Sequence, residues 1–310
     1  MRTRNSNSET EPGRRVVQSS GPDPSAEVVC SSPEVDSRAY AFAYLTSDPT
    51  QLPADFPVDQ TFEHALFLPQ EIVPRFKTPR YIPRLILEGR DNVTVYSHPR
   101  CAPTKTTIPF GDISQIEVQR FLADCSLTIS TPGRVVHLPF HGRDREYVQG
   151  FLKSLKRRLL PHKTQANFIS EPQDFGPKPN YKFEQIEAIL EVDRRSVWAR
   201  FFVPPKEVTR PRLLRNEVSW KFGSEIVLTR TELHVFSDDK DGYRQLYGFR
   251  ASWAPLQQVV AIKWEKAMQS VTIRLSGDFI LRIPVPEELE GEAERFAKFA
   301  SCELLDCRAT

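Results

Sequence analysis

The sequence predicts a β-rich α+β fold, built from two tandem copies of a partly open antiparallel β-barrel that is capped by a C-terminal α-helix. Segments Asp59–Arg158 and Glu191–Cys302 are similar to each other, each contains short apolar runs separated by turns, and each ends in a helical pattern. A unit of roughly 100 residues is large enough to fold alone. The 310-residue chain is therefore expected to hold two domains.

The repeat is visible as matched apolar segments in the same order in both copies. The matches, first copy against second, are Leu66–Pro69 and Phe201–Pro204, Val93–Ser97 and Leu233–Ser237, Ile108–Phe110 and Ala254–Leu256, Ile113 and Val259, Ile116 and Ile262, Cys125–Ile129 and Val271–Leu275, and Phe151 and Phe296. Most charged and aromatic residues differ between the copies. The shared part is therefore interpreted as scaffold, and specific function is expected where the copies differ.

The first copy begins after an N-terminal tail, residues 1–39, whose Ser, Pro, Glu and Arg content predicts disorder. Residues 40–160 form the first predicted domain. Alternating apolar residues and turn signals predict its strands, and apolar residues at helical spacing after Asp144, the expected N-cap, predict a helix that ends at Pro161. The predicted strands are Phe62–Leu68, Leu85–Leu87, Val93–Tyr96, Thr107–Phe110, Ile113–Arg120, Ser126–Ser130 and Val135–Phe140; Gln70–Phe76 is read as a helical turn or an extended arm.

A proline-containing linker, residues 161–181, separates the copies, and residues 182–310 form the second predicted domain. Helical spacing from Phe183 to Leu190 predicts a short opening helix, and a final helix is expected from about Glu287 to Leu305. The predicted strands are Val218–Phe222, Glu225–Leu228, Leu233–Phe236, Tyr243–Phe249, Ala254–Leu256, Val259–Trp264, Val271–Leu275 and Phe279–Val285.

Three local patterns, seen twice in one order, resemble the pleckstrin-homology-like (PH-like) superfold, in particular the bacterial PH-domain and GRAM-like families. The first is a strand, polar turn and strand ending in an aromatic residue and Ser; the second is a short strand with a proline before two apolar residues three apart; the third is a hairpin followed by the helix. The resemblance covers roughly two thirds of the chain. It implies a binding or scaffolding module, often at membranes, without a shared catalytic chemistry. The segments are Leu85–Ser97 and Ile226–Ser237, Ile108–Ile116 and Ala254–Ile262, and Leu127–Leu155 and Ile273–Phe299.

Composition narrows the partner and the compartment. The formal net charge of +2 provides no global field that would favour nucleic acid. The five cysteines show no framework spacing, which favours a reducing compartment. No apolar run approaches the ~18 residues of a transmembrane helix. The expected location is the cytoplasm, with the inner face of the membrane as the location for a peripheral protein.

Three basic clusters are the candidate anion- or membrane-binding sites. Two of them precede the core hairpin at equivalent places in the repeat, and the third lies in the last turns of the first helix. Arg binds phosphate through its planar fork, and each basic residue near an anionic surface contributes about 1 kcal/mol. The alternatives are a solvated face balanced by neighbouring glutamates and a charge complement to the helix dipole. The clusters are Arg75, Lys77, Arg80 and Arg84; Arg210, Arg212, Arg215 and Lys221; and Lys153, Lys156, Arg157 and Arg158.

Catalytic and cofactor motifs are not found in the sequence. It contains no Gly-rich phosphate loop, no Gly-x-Ser-x-Gly and no His-Glu-x-x-His, and no histidine pair recurs in the repeat. The sequence thus predicts a non-enzymatic protein, without cofactor or metal, that recruits a protein partner or peptide segment. Peripheral binding to anionic membranes is the alternative, and an enzyme of unrecognised type is the third hypothesis.

Overall fold

The computed structural model describes residues 42–69, 72–73, 78–79, 82–97, 104–121, 124–160, 172–211, 216–221, 223–238 and 248–309. These residues belong to one compact unit, Asp36–Thr310. They form a β-rich α+β structure with three larger sheets, two two-stranded hairpins and three α-helices. The tail that was expected to be disordered, residues 1–39, lies outside the described residues.

The first seven strands form an antiparallel five-stranded sheet in the order β1-β2-β5-β6-β7 and a separate β3–β4 hairpin. Side chains on both faces of β5 are buried: Ile86 packs in the main core of this half, whereas Leu85 and Leu87 pack in a smaller core on the other face. The strands are β1 Tyr44–Thr46, β2 His64–Leu68, β3 Ile72–Val73, β4 Thr78–Pro79, β5 Arg84–Glu88, β6 Asn92–Ser97 and β7 Thr104–Pro109.

Three further strands and a helix complete the first half: β8 Gln115–Phe121, β9 Asp124–Thr131, β10 Arg134–His141 and α1 Arg145–Leu159. The predicted apolar stripe of α1 is buried in the main core, because its members recur every three to four residues. The prediction that Asp144 caps the helix is wrong in one respect. Asp144 occupies the N-cap position, but its side chain makes no capping hydrogen bond.

The segment between the halves contains two elements, β11 Gln173–Phe175 and α2 Tyr181–Ile189. Helix α2 begins where the Asn180 side chain accepts hydrogen bonds from the N–H groups of Lys182 and Phe183. Its buried residues include Phe183 and Ile186, as the helical spacing predicts. Strand β11 was not predicted; it pairs in parallel with the first strand of the second half.

The second half repeats the same kinds of element. Four of its strands form a meander, a hairpin is inserted after the first of them, and a three-stranded sheet and a helix follow. Of the predicted strand Tyr243–Phe249, only the end is described. The elements are β12 Val197–Val203, β13 Lys206–Pro211, β14 Asn216–Lys221, β15 Ser224–Thr229, β16 Glu232–Asp238, β17 Phe249–Pro255, β18 Val259–Glu265, β19 Ser270–Leu275, β20 Ile280–Pro284 and α3 Glu290–Ala309.

Both halves therefore follow one order of elements. Strands β2, β5, β6 and β7 correspond to β12, β15, β16 and β17, strands β8–β10 correspond to β18–β20, and α1 corresponds to α3. The sheets themselves do not close into barrels: each meander and the three strands that follow it lie in different sheets.

The two halves share one sheet. Strand β17 of the second half pairs antiparallel with β8 of the first, and Ala251 lies opposite Val118 while Trp253 lies opposite Ile116. The result is an eight-stranded sheet in the order β10-β9-β8-β17-β16-β15-β12-β11. Backbone hydrogen bonds, and not only side-chain packing, hold the repeats together.

The two C-terminal helices are placed differently on their repeats. Helix α1 packs against β1 and β2, whereas α3 packs along β18 as well as β12. The hydroxyl of Ser301 on α3 donates a hydrogen bond of 2.7 Å to the carbonyl oxygen of Ile262 on β18. The strand equivalent to β8 is thus covered by its own helix, and β8 is covered by β17.

Cleavage at a protease site placed within residues 161–171 is expected to give two halves that elute together in size-exclusion chromatography. The reason is that the β8–β17 ladder survives the cut. In the same cleaved chain, Ala251→Pro removes a backbone N–H from β17 and should let the halves separate. Wild-type halves that elute separately would contradict the shared sheet.

Candidate functional site

The structure describes few residues of the two pre-hairpin basic clusters. Arg84 begins β5 and is partly buried, and burial lowers the pKa of its guanidinium. One of its terminal nitrogens, Nη1, has no hydrogen-bond partner among the described residues. Only the backbones of Arg210 and Lys221 are described, in β13 and β14. The remaining members, Arg75, Lys77, Arg80, Arg212 and Arg215, lie outside the described residues.

The cations of α1 are mostly paired with carboxylates. Lys153 Nζ lies 2.5 Å from Glu191 Oε1, and Arg158 pairs with Glu63 and also lies 3.7 Å from the buried carboxylate of Glu88. Arg157 is exposed. These contacts tie the helix to its surroundings. Of the four cations of the α1 cluster, Lys153 and Arg158 thus contribute ion pairs, and Arg157 is exposed.

A cavity of about 440 Å³ lies where the two halves meet. Its walls come from β8, α1, the end of α2, and strands β16 and β17, so both repeats contribute to it. The lining is mostly apolar, with polar groups supplied by α1 and by the segment after α2. The lining residues are Ile116, Val118, Gln149, Gly150, Leu152, Lys153, Lys156, Ala188, Ile189, Leu190, Glu191, His234, Ala251 and Trp253.

A buried ion pair beside this cavity joins the first repeat to the second. Lys156 Nζ on α1 lies 3.2 Å from Glu232 Oε2 on β16, donates to the Leu190 carbonyl, and lies 5.5 Å from the centre of the Trp253 ring. Glu232 Oε2 is also 2.6 Å from His234 Nε2. Burial opposes ionisation of Glu232, but the hydrogen bond from His234 and the charge of Lys156 lower its pKa to about 2.

The same geometry fixes the state of His234. Burial lowers its pKa despite the opposing effect of Glu232, so the ring is neutral near pH 7. An ionised carboxylate only accepts hydrogen bonds, so Nε2 carries the proton. His234 Nδ1 and Trp253 Nε1 have no partner among the described residues, although the two residues lie opposite each other on β16 and β17.

Sequence reasoning singled out Lys156 as a member of a basic cluster, but not its partners Glu232 and His234. Glu232 and His234 alternate with apolar Leu233 and Val235, which is the pattern of a strand with one exposed face. That face is covered here because α1 of the other repeat lies against it. A Glu-x-His pair in a strand next to a tryptophan-bearing strand was the available signal.

Lys156→Met is expected to lower the free energy of unfolding by about 3 kcal/mol, because it leaves the buried Glu232 carboxylate without its cation. Lys153→Met, three residues earlier on the same helix, removes a largely exposed pair and should cost less than about 1 kcal/mol. Urea unfolding of both variants measures the difference. Equal decreases in the free energy of unfolding would show that the Lys156–Glu232 pair contributes no more than the exposed Lys153–Glu191 pair.

A second buried acidic group lies where α2 meets the large sheet. Glu187 on α2 accepts two hydrogen bonds from Arg200 on β12, at 3.1 and 3.2 Å. The Glu225 side chain is fully buried, 4.0 Å from Arg200, and neither of its oxygens has a hydrogen-bond partner among the described residues. Burial, and then the negative charge of Glu187, raise the pKa of Glu225 to about 8. Glu225 is thus a neutral acid in the fold at neutral pH.

The stability of the wild type relative to Glu225→Gln should fall as the pH rises from about 4.5 to about 8. Below this window both folded and unfolded chains hold the proton; within it only the folded chain does, so each pH unit costs roughly 1.4 kcal/mol at most. Urea unfolding at several pH values checks this. A difference between the two proteins that does not change with pH would rule out the raised pKa.

Strand β7 is another candidate binding surface, because it lies at an edge of the five-stranded sheet. Thr104, Lys105, Thr107 and Pro109 are exposed, and only Ile108 is buried. In the described part of the chain, β7 pairs with β6 alone. The strand predicted from the sequence begins at Thr107, three residues after the observed start at Thr104, because Thr104 to Thr106 contains no apolar residue.

The comparisons with known proteins add no relative. No protein-family model matches the chain, and no curated protein matches it. Among the described residues, no helix is both long and apolar enough to cross a membrane.

Proposed function

We propose that the chain is a non-enzymatic binding protein made of two PH-like units, and that it recruits a protein partner or a segment of one. The observation that carries the proposal is the element order that occurs twice: four strands with an inserted hairpin, three strands, and a helix. The order of the strands and the final helix supports the sequence resemblance, and the inserted hairpin is an addition to it. Such folds supply a rigid frame with strand edges and loops available for binding.

The joined sheet supports a protein-recruiting function for the pair as a whole. Because β8 and β17 are hydrogen-bonded neighbours, the repeats hold their surfaces in one fixed relation. Direct contacts across this junction add to the ladder: Gln115 Nε2 donates to Ser252 Oγ at 3.0 Å, and Arg250 lies 3.5 Å from Glu117. A fixed pair presents one composite surface. Because the repeats are already held in place, less conformational entropy is lost when a partner binds.

Membrane binding receives less support from the described contacts. Lys153, Lys156 and Arg158 are each within ion-pair distance of a glutamate, so their charges are largely balanced locally. Balanced cations contribute little attraction to an anionic surface. The pre-hairpin clusters remain the sequence-based argument for this alternative.

The full chain is expected to enrich specific sequences from a displayed library of random ten-residue peptides, and to show no salt-sensitive flotation with anionic vesicles. A protein-recruiting surface explains the first result, and the paired helix cations explain the second. Salt-sensitive flotation without any peptide enrichment would overturn the proposal in favour of the membrane alternative.

A further inference from the structure

We propose that the edge of β7 binds an extended segment of a protein partner as an additional antiparallel strand, with an acidic side chain of that segment facing Lys105. This inference rests on the proposed function, since it names the surface and the chemical character of the segment that is recruited. Extended peptides bind sheet edges through main-chain hydrogen bonds, and side chains of alternate residues provide the specificity.

The backbone groups that β7 offers follow from its pairing with β6. Pro109 has no N–H and lies opposite Asn92, whereas the next residue, Phe110, donates its N–H to the Asp91 carbonyl at 3.0 Å. Hydrogen-bonded and non-bonded pairs alternate along antiparallel strands. The N–H and C=O groups of Thr107 and Lys105 therefore point away from β6, toward the open edge.

The second repeat shows what an equivalent edge does. Leu256 N–H donates to the Thr231 carbonyl at 2.8 Å, which is the same bond as Phe110 to Asp91. By the same alternation, Ala251 and Trp253 point away from β16, and these residues lie opposite Val118 and Ile116 of β8. The repeat thus already uses this edge to bind an antiparallel strand. On β7 the equivalent positions are Lys105 and Thr107.

A partner segment suits this edge better than a second copy of the chain. The strand of another copy that corresponds to β8 is β18, and α3 packs along it, with the Ser301 hydroxyl bonded to Ile262. A symmetric contact between two β7 edges would bring in a second Pro109, which has no N–H to donate. A segment from a different protein meets neither obstacle.

The side chains on this face indicate the sequence that fits. Lys105 Nζ lies 2.6 Å from Asp59 and 5.6 Å from the centre of the Tyr96 ring, and its side chain is 39% exposed. The pair with Asp59 leaves little attraction at long range, as it does for the paired cations of α1. The pair is exposed and therefore weak in water, and an ammonium group has three donors, so a carboxylate held opposite Lys105 by the strand pairing can hydrogen-bond it directly. Thr107 is hydrogen-bonded to Thr94 on the same face. Cross-strand pairing favours a hydroxyl or β-branched residue opposite Thr107, two positions from the acid.

Thr107→Pro is the direct test. Proline at this position removes an outward N–H and leaves the bonds to β6 in place, because the N–H of Thr107 points away from that strand. Thr107→Val is the matched control, since it keeps the N–H and, like proline, lacks the hydroxyl that contacts Thr94. Peptides enriched by the wild-type chain should bind Thr107→Pro at least about tenfold more weakly and Thr107→Val nearly as well. Circular dichroism confirms that both variants fold.

Lys105→Glu tests the charge. The library enriched by the wild type should carry Asp or Glu two positions from a Thr, Val or Ile, and the library enriched by Lys105→Glu should carry Lys or Arg at that position. Bound peptide should also slow the hydrogen exchange of the Lys105 and Thr107 amides.

The outcomes separate this proposal from the proposed function. Enriched peptides that bind Thr107→Pro and the wild type equally well would place the recruiting surface elsewhere and leave the proposed function intact. A library without any enrichment would overturn both. Self-association of the wild type that light scattering detects and Thr107→Pro abolishes would make a second copy the occupant, against this proposal.

Discussion

The hydrogen bonds between β8 and β17 are the contact on which the rest of the arrangement depends. They place the sheet of the second repeat beside the three strands of the first, and so bring α1 over β16 and β17. The cavity exists because these elements meet without filling the space between them. The hydrogen bond from His234 on the same strand is the main cause of the low pKa of Glu232, and the charge of Lys156, which reaches Glu232 across this junction, lowers the pKa further.

The repeat is nearly symmetric in the order of its elements and asymmetric in its edges. Strands β8 and β18 are equivalent in the two repeats. Strand β8 is covered by the neighbouring strand β17, whereas β18 is covered by helix α3. Strands β17 and β7 are also equivalent. Strand β17 is paired on both sides, whereas β7 is paired on one side in the described part of the chain. Unpaired edges tend to attract strands, so the open one is the natural place to look for a partner.

Much of the fold could be predicted from the sequence, because apolar alternation and helical spacing report burial directly. The alternation in Ser126–Ser130 and Val135–Phe140 and the helical spacing after Asp144 predicted β9, β10 and α1 to within a few residues. Strand β11 was not predicted, because three residues are too few to show an alternation of apolar and polar residues. The start of β7 was not predicted, because a strand at a sheet edge need not be apolar. The shared sheet could not be predicted, since no local pattern distinguishes a strand that pairs within its repeat from one that pairs across repeats.

The candidate sites were harder to predict for a related reason. The basic clusters stood out as runs of charge, but three of the four cations on α1 are near carboxylates far away in the sequence, such as Glu191 and Glu232. A glutamate in a strand is expected on the exposed face. Glu225 is instead fully buried, because α2 covers it. In each case the environment is set by an element that comes from elsewhere in the chain.

The position of α3 has a consequence for how far this architecture can grow. The contact between β17 of one repeat and β8 of the other joins two different surfaces and is therefore heterologous. Identical units joined in this way would add one after another without limit. In the second repeat, the edge of β18 that corresponds to the paired edge of β8 is covered by helix α3, through contacts such as Ser301 with Ile262. Helix α3 thus occupies the edge at which a further unit would have to be added.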